Sequence, residues 1–287
     1  MGYRADAGRG EGREVNDAPV VLAWLILAHL VADFVLQNDA IATAKFGDGP
    51  EAWRALGIHG LIVGALTLPL VAVYGLPGLL YGALTVVSHV AIDRIKVVLT
   101  RRVEPASATG SAPTAEDAAK GPPFDRAWSP VPGALFAADQ AAHLGVILVG
   151  WAILLARHAP LQLLESPDVR QPILLIGVLA ALLIVNIRAA SLFVANLVRP
   201  PLSPGEGSRP SSARVGAVIG ILERLLICAL VLGGAVATIG LVIAAKTLAR
   251  FKQLDDREFA EYYLLGTLAS VTVAIATSLL AQAALAS

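Results

Sequence analysis

Charge is what this 287-residue sequence has least of. Asp, Glu, Lys and Arg make up 15% of it, against about 25% in an ordinary soluble domain. With 56% hydrophobic residues and a mean hydropathy of +0.70, the chain lacks the polar groups to cover a water-facing surface. Charge of one sign is also missing: 22 basic and 22 acidic residues cancel, so no basic field points to nucleic acid, and no nucleic-acid partner is expected. There is one cysteine, Cys228, inside an apolar run. An intrachain disulfide is therefore excluded, and the residue carries no message about compartment. Residues 1–17 are polar, mixed in charge and Gly-containing. They lack the charged-then-apolar layout of a cleavable signal, so the first apolar run is expected to remain as the insertion signal.

What is present is a series of apolar runs of bilayer length. The expected fold class is all-α: a polytopic helical membrane protein of about seven transmembrane helices, in contact with the lipid bilayer. The spans fall at about 19–38, 53–74, 79–99, 133–155, 172–198, 215–245 and 262–285. Three regions follow: a polar tail at 1–17, a four-span His/Asp-containing domain at 18–157, and a three-span domain at 158–287. Gly75-Leu76-Pro77-Gly78 reads as a tight turn. Residues 100–132 and 199–214 read as Pro/Ser/Gly-rich loops, the first of them mobile. Gly216 and Gly220 are spaced for close helix approach. The sixth span is long for one crossing. Seven spans put nine Lys and Arg on the tail side and eleven on the other, a lean toward a cytoplasmic location for the second side.

Inside these runs stand ionisable residues, which are costly in a membrane and point to function. His29 and Asp33 lie four residues apart on one helix face. The pair recurs as His89 and Asp93, and in reversed order as Asp139 and His143. Spans one and three end at the membrane face where span four begins, so the reversal is what antiparallel direction requires. Counted inward from that face, Asp33, Asp93 and Asp139 share one level. His29, His89 and His143 lie about 6 Å deeper. His59, near the start of span two, falls close to these levels but has no Asp four residues away.

Four His and three Asp facing one centre are the makings of a bundle-core metal site. Imidazole with carboxylate suits zinc, iron or manganese, and zinc held by His29, His89 and His143 with Asp ligands is the leading expectation. Seven candidates exceed four tetrahedral ligands, so either two metals bind or some Asp residues orient ligand His rings. Gln37, Lys96 and Gln140 stand at the same end as substrate-binding or supporting groups. Glu223 and Arg224, about eight residues into the sixth span, are expected near the His level as further substrate-binding or supporting groups, with Arg224 as the charge partner of Glu223 or a guide for an anionic substrate. A metal-free proton relay and a structural polar network are the other readings of the seven residues.

The string from Ala28 through His29 and Asp33 to Gln37 resembles the opening motif of a bacterial family of multi-spanning membrane proteins, the domain of unknown function numbered 3307. His59-Gly60, Ser88 through Asp93 to Lys96, and Asp139 through His143 are similar to its other motifs, covering about residues 20–150. The resemblance implies a multi-pass protein of the bacterial inner membrane, and no activity. Three functions remain open: a metal-dependent hydrolase acting on an amphiphilic substrate, a transporter of divalent cations or protons, and a structural or partner-binding membrane subunit.

Overall fold

The computed structural model describes residues 18–103, 131–158, 166–198 and 210–286. Among the described residues every regular element is helical. Helix α1 (Ala18–Val31) passes into a π-helical turn, Ala32–Leu36; α2 (Asp39–Lys45) is short and is capped by Asn38, whose side chain accepts from the Ile41 N–H at 2.9 Å. Next come α3 (Pro50–Thr67), α4 (Pro69–Tyr74), α5 (Leu76–Val103) and α6 (Val131–Leu154). Helix α7 (Pro167–Ile184) runs through a second π-helical turn, Val185–Ala189, into α8 (Ala190–Leu197). The chain closes with α9 (Pro210–Leu232), α10 (Ile239–Ala249) and α11 (Arg257–Ala286). The tail at 1–17, residues 104–130 of the first expected loop and 199–209 of the second lie outside the described residues.

Six helical segments are long and apolar enough to cross a membrane: Ala18–Leu36, Pro50–Tyr74, Val131–Leu154, Pro167–Leu197, Val215–Leu232 and Phe259–Ala286. Helix α5, 28 residues long, has the length as well, about 42 Å at 1.5 Å per residue. Large apolar side chains point outward all round the bundle; Leu61, Ile176, Leu241 and Leu280 are 67–75% exposed. Such a surface belongs in lipid.

Chain breaks follow local chemistry. Pro69 cannot donate a backbone hydrogen bond, and α3 gives way to α4 there. The turn from α4 into α5 needs glycine at 78, because a Cβ there would sit 2.1 Å from the Leu70 carbonyl oxygen. Gly216 and Gly220, expected to let helices approach closely, do something else. Nothing lies within 4 Å of a Cβ built at Gly216, and Gly220 faces the Arg224 guanidinium of its own helix.

The expected single span at 215–245 is two elements. Helix α9 stops at Leu232, Gly234 takes φ 73°, and after a 3₁₀ turn α10 heads back, bringing Lys246 to Glu223 at 2.5 Å. Helix α11 then runs parallel to α9. Its contacts advance together, Arg224 with Ser270, Cys228 with Ala274 and the Val231 carbonyl with Gln282. The segment from Lys246 to Arg257 therefore lies on the face where α1 and α5 end, opposite to the side a single sixth span would give it.

At that face Arg101 clamps the chain between α2 and α3. Its guanidinium bonds Asp48 at 2.5 Å, the Gly47 carbonyl at 2.9 Å and the Phe46 carbonyl. The same contact holds the Asp48 carboxyl below its ordinary range. This clamp fixes α2 over the ends of α1, α3 and α5.

Candidate metal centre

The four N-terminal spanning helices bring all seven predicted His and Asp residues together. His59 is fully buried, and His29, His89, Asp93, Asp139 and His143 are each at most 7% exposed. Asp33 sits on the π-helical turn that ends α1. One extra residue per turn re-aims the side chains there, and such turns recur at functional sites.

The tightest part of the cluster is Asp33, His59 and His89. The two imidazole Nε2 atoms are 2.8 Å apart, and each lies 3.1 Å from the same carboxylate oxygen, Asp33 Oδ1. Asp93 Oδ2 stands 3.7 Å from His59 Nε2 and 4.0 Å from His89 Nε2. The sequence reading gave first place to His29, His89 and His143 and least to His59; the shortest distances belong to His59. Beside this set, the His29 and His143 rings stack with centroids 4.9 Å apart, and the His89 and His143 centroids are 4.2 Å apart.

A ring of polar partners surrounds the seven. Gln37 Oε1 accepts from Lys45 Nζ at 2.6 Å, and the same ammonium reaches Asp93 Oδ2 at 2.5 Å. Lys96 donates to Asp139 Oδ2 at 2.7 Å, and Gln140 bridges Asp139 (3.1 Å) and His29 (3.3 Å). Asp139 is thus a neighbour of the histidines whose charge Lys96 already meets. Sequence reasoning missed Lys45, which is 4% exposed. The signal was available: Asn38 and Asp39 open a helix in the polar connection, and Lys45 is its last residue.

Glu223 and Arg224 do not join the cluster through any contact of their side chains. Glu223 pairs with Lys246 rather than with Arg224. Arg224, 3% exposed, donates to the Asn186 carbonyl (2.7 Å), Ser191 (2.5 Å) and Ser270 (3.1 Å). Depth along α9 was expected to carry both residues to the site. Direction around the helix decides otherwise, turning one toward α10 and the other toward α7, α8 and α11.

Three groups in the cluster place metal-ligating atoms within 4.8 Å of one another: Asp33, His59 and His89; His29, Asp33 and His143; and His89, Asp93 and His143. The fold and the site define a multi-span helical membrane protein with a buried His/Asp cluster whose ligand atoms are close enough to hold a metal ion. Residues 21–168 match the model of one protein family, described as "Protein of unknown function (DUF3307)". The match takes in just over half of the 287 residues, and the chain belongs to that family. All seven His and Asp residues fall inside the matched region, and Glu223 and Arg224 fall outside it. No curated protein and no solved structure matches the chain.

Proposed function

We propose that the chain is a membrane-embedded, metal-dependent hydrolase acting on an amphiphilic substrate, with a divalent cation, zinc in the first instance, on Asp33, His59 and His89. One observation carries the reading: the 2.8, 3.1 and 3.1 Å triangle of His59 Nε2, His89 Nε2 and Asp33 Oδ1. A tetrahedral site with metal–ligand bonds of about 2.0–2.1 Å has ligands about 3.3 Å apart. Protons account for the triangle poorly. Two protons fit only as two N–H groups 2.8 Å apart that both aim at Asp33 Oδ1, and one proton leaves a lone pair facing that oxygen. A cation meets all three, where each unmet buried group would cost about 1–3 kcal/mol.

When bound, such a metal lowers the pKa of a water and polarises a carbonyl or phosphoryl oxygen. The chain's own residues supply the rest. Asp93 is placed to accept a proton or complete the ligand set, and Lys45 and Lys96 favour an anionic headgroup at the rim. The site face carries Lys45, Arg54, Arg94, Lys96, Arg101, Arg102, Lys246, Arg250, Lys252 and Arg257 among the described residues, and the opposite face Arg157 and Arg170. This asymmetry supports a cytoplasmic site face in a bacterial inner membrane.

A transporter of divalent cations has one observation in its favour. His89 and His143 stand near the middle of α5 and α6, and transport sites lie near the midplane. Elemental analysis of detergent-purified protein, prepared without chelator, tests the shared premise. At least one metal per chain is expected in the wild type and at least one ion fewer in His59→Ala; metal-free wild type overturns it. Uptake of zinc into proteoliposomes decides between the readings, since a hydrolase leaves the lumen empty.

A further inference from the structure

The Asp33, His59 and His89 set uses one oxygen of Asp33. The other, Asp33 Oδ2, faces His29 Nδ1 at 4.0 Å. His29 Nδ1 and His143 Nε2 are buried without a hydrogen-bond partner. The opposite nitrogen of each ring is occupied. His29 Nε2 lies 3.3 Å from the Gln140 carbonyl oxygen, and His143 Nδ1 lies 2.9 Å from the Asp139 backbone carbonyl. Both partners are acceptors only, so both of those nitrogens carry the hydrogen. The two unpartnered nitrogens are then bare lone pairs, buried, beside a carboxylate. Tying the outer ring nitrogen to a carbonyl is how proteins orient a metal-bound histidine.

From this we propose that the cluster holds two divalent cations bridged by Asp33: one on Asp33 Oδ1, His59 and His89, the other on Asp33 Oδ2, His29 and His143. The inference rests on the metal reading above and deepens it. His89, Asp93 and His143 form the rival second set, but Lys45 Nζ at 2.5 Å already compensates Asp93. Among the described residues no hydrogen-bond donor reaches His29 Nδ1 or His143 Nε2. The second site is the wider one, its His29 Nδ1–Asp33 Oδ2 distance 4.0 Å against 3.1 Å from either Nε2 to Asp33 Oδ1, so its ion binds more weakly. Paired metals about 3.5–4 Å apart suit phosphoryl substrates, which makes the substrate class a phosphate ester on an apolar tail.

Purified full-length protein is stripped, titrated with Mn²⁺, and read by metal stoichiometry and electron paramagnetic resonance. Wild type is expected to take two ions per chain and show a spin-coupled signal. His29→Ala and His143→Gln are each expected to keep one ion and lose the coupling, with unchanged elution on size exclusion. One uncoupled ion in the wild type overturns the bridged pair and leaves the single-metal reading standing. No ion in the wild type overturns both. Coupling that survives in both variants overturns the assignment of His29 and His143.

Discussion

The two halves of the bundle each bury a polar centre, and the centres are satisfied in opposite ways. In the C-terminal half Arg224 spends its guanidinium on a backbone carbonyl and two hydroxyls, and Glu223 is matched by Lys246. That network closes on itself; Asn186 Oδ1 alone among its atoms is buried without a partner. In the N-terminal half, acceptors converge. His29 Nδ1, His143 Nε2 and Asp139 Oδ1 are buried without partners, and two imidazoles crowd one carboxylate oxygen. The π-helical turns Ala32–Leu36 and Val185–Ala189 reinforce the contrast. They lie on neighbouring helices in one apolar contact, Leu30 and Phe34 against Ala189 and Val185. One turn aims Asp33 into the cluster, and the other offers the Asn186 carbonyl to Arg224. A closed network holds helices together; an open, acceptor-rich one holds a ligand.

Substitutions should separate the two centres. The largest effect is expected in the N-terminal half, where His89→Ala removes the residue common to the tightest contacts. Metal content should fall by at least one ion per chain in elemental analysis, while the protein still inserts and elutes as a monodisperse peak. Unchanged metal content would break the comparison. Next comes Arg224→Met, which takes three charged hydrogen bonds from the C-terminal network, each worth about 1.5–3 kcal/mol. The melting temperature in detergent should drop by several degrees with metal content unchanged. A parallel loss of metal would make the two centres one. Smaller and graded is the effect of pH. Imidazole binds metal only when neutral, and its reference pKa is about 6.5. Zinc affinity should hold above pH 7 and weaken progressively below about 6, by isothermal titration with competing chelator.

The cluster was legible in the sequence because its spacing is local. Each His–Asp pair lies on one helix face, and reversed order in α6 matches reversed direction. His59 was undervalued for the same reason: its carboxylate partner, Asp33, lies on another helix, where no local spacing reveals it. Lys45 was hidden because only the fold of α2 returns it to Asp93. Glu223 and Arg224 show the limit of reasoning by depth, which says nothing about direction around a helix. The sixth span was drawn too long, because Gly233 and Gly234 interrupt an apolar run that reads as continuous. That difference is testable. Cysteines introduced as Asp48→Cys and Asp255→Cys should label from the same side of the membrane, because α10 returns the chain to the site face. Labelling from opposite sides would restore the single sixth span.

The central claim is that imidazole and carboxylate from the N-terminal half hold a divalent metal. X-ray absorption at the zinc edge on the purified, zinc-loaded protein tests it most directly. A first shell of nitrogen and oxygen at about 2.0–2.2 Å, with the outer scattering of at least two imidazoles, is the expected result. A sulfur shell at about 2.3 Å, which only Cys228 or Met1 could supply, or a shell without imidazole, would contradict it.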